Sequence, residues 1–341
     1  PYTLLGLDDP DIPGFPSAEL NAATAVNASG LVVGEGTAYD SDGAEFARRA
    51  TAWTGSLAAN LGVLGASQES QAYGLDSSGR AVGASDGRAV LYEGGTVTDL
   101  GTAPGGAFSV AWAINDAGLI AGSATVGGGN NRPATFQRGE VGATFIPIPG
   151  ALAGEARAVN ASGTVAGDYS LNANGTLPRA FTYSGGVVTT FGFLPGGNRA
   201  SAEDINDLGI VTGYGNSSEG ERAFVSVGTT LVSLGVLPGR TTSRGLGINA
   251  AGEIVGHSGN GASQRAFLYR GGALIDLNSF IDPASGWVLT SATDINDSGV
   301  IVGTGRIDGR TRGFVLTPVP EPASMAVLGF GLAALRRRRK G

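Results

Sequence analysis

The chain has 341 residues, enough for two ordinary domains or one large repeat assembly, and it has no cysteine, which excludes disulfides and thiolate metal sites. Its formal net charge is −7. The last 23 residues carry five basic side chains and one acidic one, so the remainder stands at −11, and a body that acidic repels phosphate backbones and excludes a nucleic-acid partner. Apolar residues make up 42%, enough for a real core. The 59 glycines compare with about 24 at average usage and follow no collagen period, so they mark turns. A chain that opens on Pro1 fits the removal of a preceding segment such as a signal peptide.

The first element is "YTLLGL", Tyr2 to Leu7, a lone strand with no neighbour in sequence. A unit that repeats seven times then begins. It is anchored on Asn27, Asp76, Asn115, Asn160, Asn206, Asn249 and Asn296, at spacings of 49, 39, 45, 46, 43 and 47 residues. A glycine lies three positions after every anchor (Gly30 to Gly299) and another seven positions after it (Gly34 to Gly303). Asn or Asp at the first position of a type I turn bonds its own backbone two residues on. Glycine at the fourth position supplies the left-handed conformation that a bulged hairpin needs. The residue before each anchor is apolar, and the fourth before it is always Ala or Gly. One bulky and one shallow face suit close stacking of sheet on sheet.

Each copy continues with a third strand opened by arginine: Arg49, Arg88, Arg132, Arg179, Arg222, Arg265 and Arg312. A fourth strand follows, as in "TVTDLG" ending at Gly101 and "TLVSLG" ending at Gly235. Four short antiparallel strands in about 45 residues is the period of a β-propeller blade. The seventh copy stops after its third strand, and Tyr2 to Leu7 supplies the missing fourth. The expected fold is therefore all-β: a seven-bladed propeller of four-stranded blades over residues 1–317, closed by its N-terminal strand, with a short apolar helix in residues 318–341. An open β-solenoid is the alternative. The run Arg265 to Gly303, "RAFLYRGGALIDLN…SATDINDSGVIVG", resembles the bacterial extracellular HAF repeat, with arginine in place of its histidine in all seven copies. That resemblance implies an exported, propeller-like protein.

The chain ends in Pro320, Glu321 and Pro322, then 13 uncharged residues from Ala323 to Leu335, then Arg336, Arg337, Arg338, Arg339 and Lys340. A 13-residue helix spans about 20 Å, short of the roughly 30 Å hydrocarbon core, although arginines at its end can snorkel. The order Pro-Glu-Pro, apolar helix, basic end closely resembles the PEP-CTERM sorting signal. The resemblance implies a Gram-negative host, transient inner-membrane insertion, and cleavage by an exosortase-type membrane protease. The address is then periplasm, cell surface or medium; a plain anchor is the simpler alternative.

Motifs of catalysis are weak. "GASDG", Gly83 to Gly87, matches a hydrolase elbow in letters, yet Ser85 lies in a hairpin loop and the only histidine is His257, expected in solvent. "GTGRIDG", Gly303 to Gly309, has no helix after it and is no phosphate loop. Asp40, Asp42 and Glu45 share a loop that could take calcium, as an incomplete match to a calcium loop; no other cofactor is implied. Asp8, Asp9 and Asp11 are weaker candidates. The seven arginines are expected to hold a carboxylate or carbonyl of their own or the next blade.

Loop length separates the two faces of the disc. The first-to-second turns are short and constant, whereas between the second repeat glycine and the arginine lie 14, 4, 9, 11, 8, 8 and 8 residues. Variable loops on a rigid scaffold are where binding usually resides. The longest ones bring Tyr39, Phe280, Trp287 and, from the N-terminal segment, Phe15 into the sector where first and seventh blades meet. The expectation is a monomeric surface protein that binds exopolysaccharide or a protein ligand. An enzyme acting on such a glycan through carboxylates on the same face, and a self-associating coat protein, are alternatives.

Overall fold

The computed structural model describes residues 2–12, 18–39, 46–67, 69–127 and 129–319. Phe15, Asp40, Asp42, Glu45, the Pro320-Glu321-Pro322 triplet, Arg336 to Arg339 and the expected C-terminal helix lie outside them. The described residues form seven four-stranded antiparallel sheets, a seven-bladed β-propeller. The innermost strands are Ala18–Val26, Ser70–Leu75, Ser109–Ile114, Ala153–Val159, Ala200–Ile205, Ser243–Ile248 and Val288–Ile295. Three short 3-10 turns are the only helical elements among the described residues, and none there is long and apolar enough to cross a membrane.

Ring closure follows the sequence reading. Tyr2–Gly6 pairs antiparallel with the last strand, Arg310–Pro318, with Tyr2 opposite Pro318 and Gly6 opposite Phe314. Leu7 N–H donates to Gly313 O at 3.0 Å, and Asp9 pairs with Arg312, so the N-terminal segment stays pinned beyond the strand.

Every anchor turn has the expected hairpin. In the first blade Gly30 N–H donates to Asn27 O, and Asn27 N–H to Leu31 O, both at 3.1 Å. The glycine column takes φ between 76° and 85° in all seven copies. The Asn side chain then does what a turn residue need not do. Its Oδ1 accepts local N–H groups, from Ser29 and Leu31 in the first blade, while Nδ2 reaches the same position of the next blade. Asn115 donates to Asn160 O, Asn160 to Asn206 O, Asn206 to Asn249 O, Asn249 to Asn296 O, Asn296 to Asn27 O and Asn27 to Asp76 O, at 3.0–3.4 Å. Six of seven links are thus alike. Asp76 has no N–H to give, and Arg80, paired with it, bonds Asp116 O at 2.9 Å instead.

The second glycine column has a different cause. In each blade the pairing of first and second strands skips the residue three before the anchor, a β-bulge. The bulge presses the carbonyl five before the anchor onto the second strand. A Cβ at Gly34, Gly83, Gly122, Gly167, Gly213, Gly256 or Gly303 would collide with that oxygen, from Ala22, Gln71, Val110, Glu155, Ser201, Arg244 and Ser291 respectively. Their φ values are not positive, so space alone demands glycine.

Blades stack large face on small face. One cluster sets Ala158, Ala166 and Ala180 of the fourth blade against Ile205, Val211, Phe224 and Leu231 of the fifth. The hydroxyls of Ser70, Ser109 and Ser243 latch blades together: each accepts an N–H of the preceding blade at 2.9–3.0 Å and donates to its last glycine carbonyl at 2.5–2.7 Å. Asn21 does the same across the closing seam, to Gly313 N and Leu7 O.

The two glycine columns therefore predict unequal costs. Gly209→Ala places a methyl group in open space at positive φ and should cost about 1–2 kcal/mol. Gly213→Ala in the same blade must push back the Ser201 carbonyl and should cost roughly 3 kcal/mol or more. Urea unfolding of both variants checks the order, and equal costs would remove the close-approach explanation.

Candidate functional site

The same bulge shapes the centre of the disc. Residues three before each anchor line a channel cavity of about 220 Å³: Thr24, Tyr73, Trp112, Arg157, Glu203, Leu246 and Thr293. This column has no consensus, whereas the one before it is Ala in six blades and Gly in the other, and the one after it is Ala or Gly except for Asp204 and Asp294. In the first and seventh blades it is structural. Thr24 donates to Ala72 O at 2.8 Å and Thr293 to Ala23 O at 2.9 Å, each the next blade's carbonyl.

Elsewhere it carries chemistry. Tyr73 and Trp112 pack in a tilted arrangement with ring centroids 4.5 Å apart, and the Arg157 guanidinium lies 5.4 Å from the Trp112 ring. Arg157 is surrounded by Glu155 at 2.8 Å, Asp168 at 3.4 Å and Glu203 at 3.6 Å. Ser201 Oγ lies 2.7 Å from Asp168 Oδ2 and 3.1 Å from Glu203 Oε1, sharing one proton between them. The belt continues on both sides. Gln71 bonds Glu35 at 2.6 Å and accepts from Tyr73. Glu221 holds Arg244 at 2.7 Å, and that guanidinium sits 4.0 Å over Tyr214. Trp112 Nε1 is a buried donor with no hydrogen-bond partner.

Burial dominates the electrostatics. It raises the pKa of Glu155, Asp168 and Glu203, against the opposing pull of Arg157. Burial likewise opposes the charge on Arg157, yet Glu203, Glu155 and Asp168 more than offset it and raise its pKa. Deeper in the channel, Asp204 and Asp294 bridge blades through paired backbone bonds. Asp204 accepts from Ile205 and Ile248, and Asp294 from Ile295 and Val26, at 2.7–2.8 Å. Burial, then the charge of Asp294, pushes Asp204 up to about 8 despite those N–H groups.

Two expectations need correction. His257 is half-buried rather than solvated, and burial, then Arg244, takes its pKa down to about 4. Ser85 is not in an elbow or a loop but ends a strand, buried. It accepts from Leu64 N and donates to Glu69 O, both at 2.9 Å, as a structural pin. The arginine column is occupied partly as expected: Arg88 pairs with Asp99 at 3.0 Å and Arg222 bonds Thr241 O at 2.7 Å, whereas Arg132 and Arg179 lie 5.3 Å over the aromatic rings of Phe145 and Phe193.

Of the residues expected to bind, Tyr39 is exposed at the end of its strand. Phe280 stacks on Tyr2 with centroids 5.1 Å apart, and Trp287 packs over Gly6 and Gly305. The latter two therefore also hold the closing blade. Among the described residues no group of three or more His, Asp or Glu side chains is placed to hold a metal ion. The missed residues had a signal in the sequence, namely the few columns near each anchor that change identity from copy to copy.

Asp204 generates a pH prediction. Between pH 3.8, its ordinary pKa, and about 8 the folded chain holds a proton that the unfolded chain has lost, so stability falls as pH rises through that window. His257 acts oppositely only below 6.5. From about pH 6.5 to 8 the unfolding free energy should drop by up to about 2 kcal/mol, and Asp204→Asn should flatten the drop. An Asp204→Asn profile parallel to that of the parent would clear this group of the effect.

Several solved structures are similar to the chain at low identity and low TM-score. TolB from Acinetobacter baumannii is 14% identical, with 91% of this chain and 67% of that chain covered and a TM-score of 0.40. A gluconolactonase from Xanthomonas campestris is 12% identical, with 93% and 98% covered and a TM-score of 0.37. A variant of a lectin from Aleuria aurantia, in complex with α-methyl-L-fucoside, is 12% identical, with 94% and 97% covered and a TM-score of 0.36. Likenesses this weak carry no argument about activity. No curated protein matches the chain. The PEP-CTERM protein-sorting motif matches residues 318–340, which supports export to the cell surface or extracellular space and implies processing by exosortase, a membrane protein.

Proposed function

We propose that this exported propeller is a binding module for a polysaccharide of the cell surface or extracellular matrix, engaged through the channel mouth and the variable-loop face around it. One observation carries the reading. Seven copies keep the same turn, while the channel column changes among aromatic (Tyr73, Trp112), basic (Arg157), acidic (Glu203), aliphatic (Leu246) and hydroxyl (Thr24, Thr293) side chains. A residue repeated in every blade serves repeated packing; one that differs in each blade at the same position is free to serve a ligand. Tyr73 and Trp112 offer ring faces for sugar stacking, and the flanking carboxylates and guanidinium groups can bond hydroxyls. The sector of Tyr39, Trp287, Phe280 and Phe15 would extend the same surface, with Asp40, Asp42 and Glu45 as a calcium-assisted contact. The HAF-repeat resemblance over residues 1–317 and a Gram-negative exopolysaccharide as ligand fit an exported protein of this kind.

A glycan hydrolase is the second reading, because Glu155, Asp168 and Glu203 gather at one point with raised pKa values, as a general acid requires. The two separate cleanly. Mature protein from the native host, lacking its last ~20 residues by cleavage near Pro320-Glu321-Pro322, should bind the host's exopolysaccharide without shortening it. Trp112→Ala should weaken binding at least tenfold at a nearly unchanged melting temperature, and Trp287→Ala with Asp42→Ala should abolish it. Undiminished binding by both variants would sink the polysaccharide reading at this face. Chain shortening that disappears in Glu203→Gln would establish the hydrolase.

A further inference from the structure

The second blade has the shortest hairpin on the variable face, with four residues between Gly83 and Arg88 and a two-residue Asp86-Gly87 turn between the strands Ala81–Ser85 and Arg88–Glu93. A short loop between taller neighbours leaves a recess, and here it is a cleft of about 590 Å³. Three segments build it: Ser67 with residues 69–73 leading into and through the first strand of the second blade, the 84–87 turn, and Phe108 with Val110 at the start of the third blade. They are tied together. Ser85 Oγ donates to Glu69 O at 2.9 Å, Ser109 N donates to Gly87 O at 3.0 Å, and Tyr92 Oη donates to Gln71 O at 3.1 Å. The walls are therefore preorganised.

The lining has a definite character. Phe108 is 58% exposed, and its ring lies over Gly87, where a Cβ would strike it. Glu69 and Asp86 are both exposed at the cleft, Gln71 and Tyr73 are its polar floor, and no Lys or Arg lines it. An open aromatic ring takes the apolar face of a pyranose; two exposed carboxylates take an ammonium group, since the neighbouring cation, Arg48 in a β-bridge with Glu69, faces Glu35 at 3.6 Å instead. The geometry points to a site for an amino sugar with a free amine, one that discriminates against uronic acids. The inference rests on the polysaccharide reading only in taking a saccharide as ligand: the cleft shares Tyr73 with the channel cavity, but Phe108, Glu69 and Asp86 do not line that cavity.

Glucosamine trimer, N-acetylated glucosamine trimer and galacturonic acid trimer are the probes, titrated calorimetrically into the full chain at about pH 6. The free-amine trimer should bind at least tenfold more tightly than either of the others, and added salt should weaken it. Phe108→Ala should lose at least tenfold, and Glu69→Gln with Asp86→Asn should erase the preference for the free amine, all at parental melting temperature. Equal affinity for the three trimers, or full affinity in Phe108→Ala, would overturn the assignment. Because Trp287 lies outside this cleft and touches none of its lining, the Trp287→Ala variant should bind the glucosamine trimer as the parent does; a loss there would instead place the amine in the sector of the closing blade and overturn the cleft.

Discussion

The carboxamide of the turn asparagine ties local structure to the whole ring. Its oxygen organises one hairpin and its nitrogen reaches the carbonyl of the next, so the same side chain specifies turn type and blade spacing. An alanine or serine could not do both. The Asp76 exception supports this account, because the lost donor is made good by a guanidinium from Arg80, four residues away. Net worth per hydrogen bond is only about 1 kcal/mol, but the groups are buried, and leaving one unpaired costs more than making it gains.

Much of the fold was legible because repetition multiplies a weak signal. One Asn-x-x-Gly stretch would be an ambiguous turn; seven at blade spacing, with Tyr2 to Leu7 completing the last blade, left little freedom. The bulge was not legible. Nothing in "AATAVN" or "AEDIND" announces an extra residue, since both faces there carry small or polar side chains. The second glycine was visible in all seven copies, but its cause is a carbonyl on another strand, and that contact exists only once the bulge has formed.

The candidate site was hidden for a related reason. A search by repetition dwells on columns that agree, and Tyr73, Trp112, Arg157 and Glu203 stand in the column that does not. Loop length also pointed elsewhere. The long loops near Tyr39 and Trp287 drew attention, yet Phe280 and Trp287 pack against the closing blade. The more open cleft lies where the loop is shortest, since a surface recess is defined by what its neighbours have and it lacks.

Scaffold and channel thus make opposite demands on the same strand. Asn and Gly columns need identity from blade to blade, because each link must meet a copy of itself. The bulged residue meets no copy of itself: its side chain turns toward the axis, where seven strands converge and each position is seen by its neighbours from a different angle. Carboxylates placed there lose water, and their pKa values rise. Arg157 keeps three of them at one place, while Asp204 and Asp294 are held by backbone N–H groups of the next blade. The fold can carry this concentration of buried charge because the repeated asparagine links run through another column, with Thr24, Thr293, Asp204 and Asp294 adding bonds to the next blade at the axis. Chemistry at the axis can therefore vary blade by blade while the architecture stays the same.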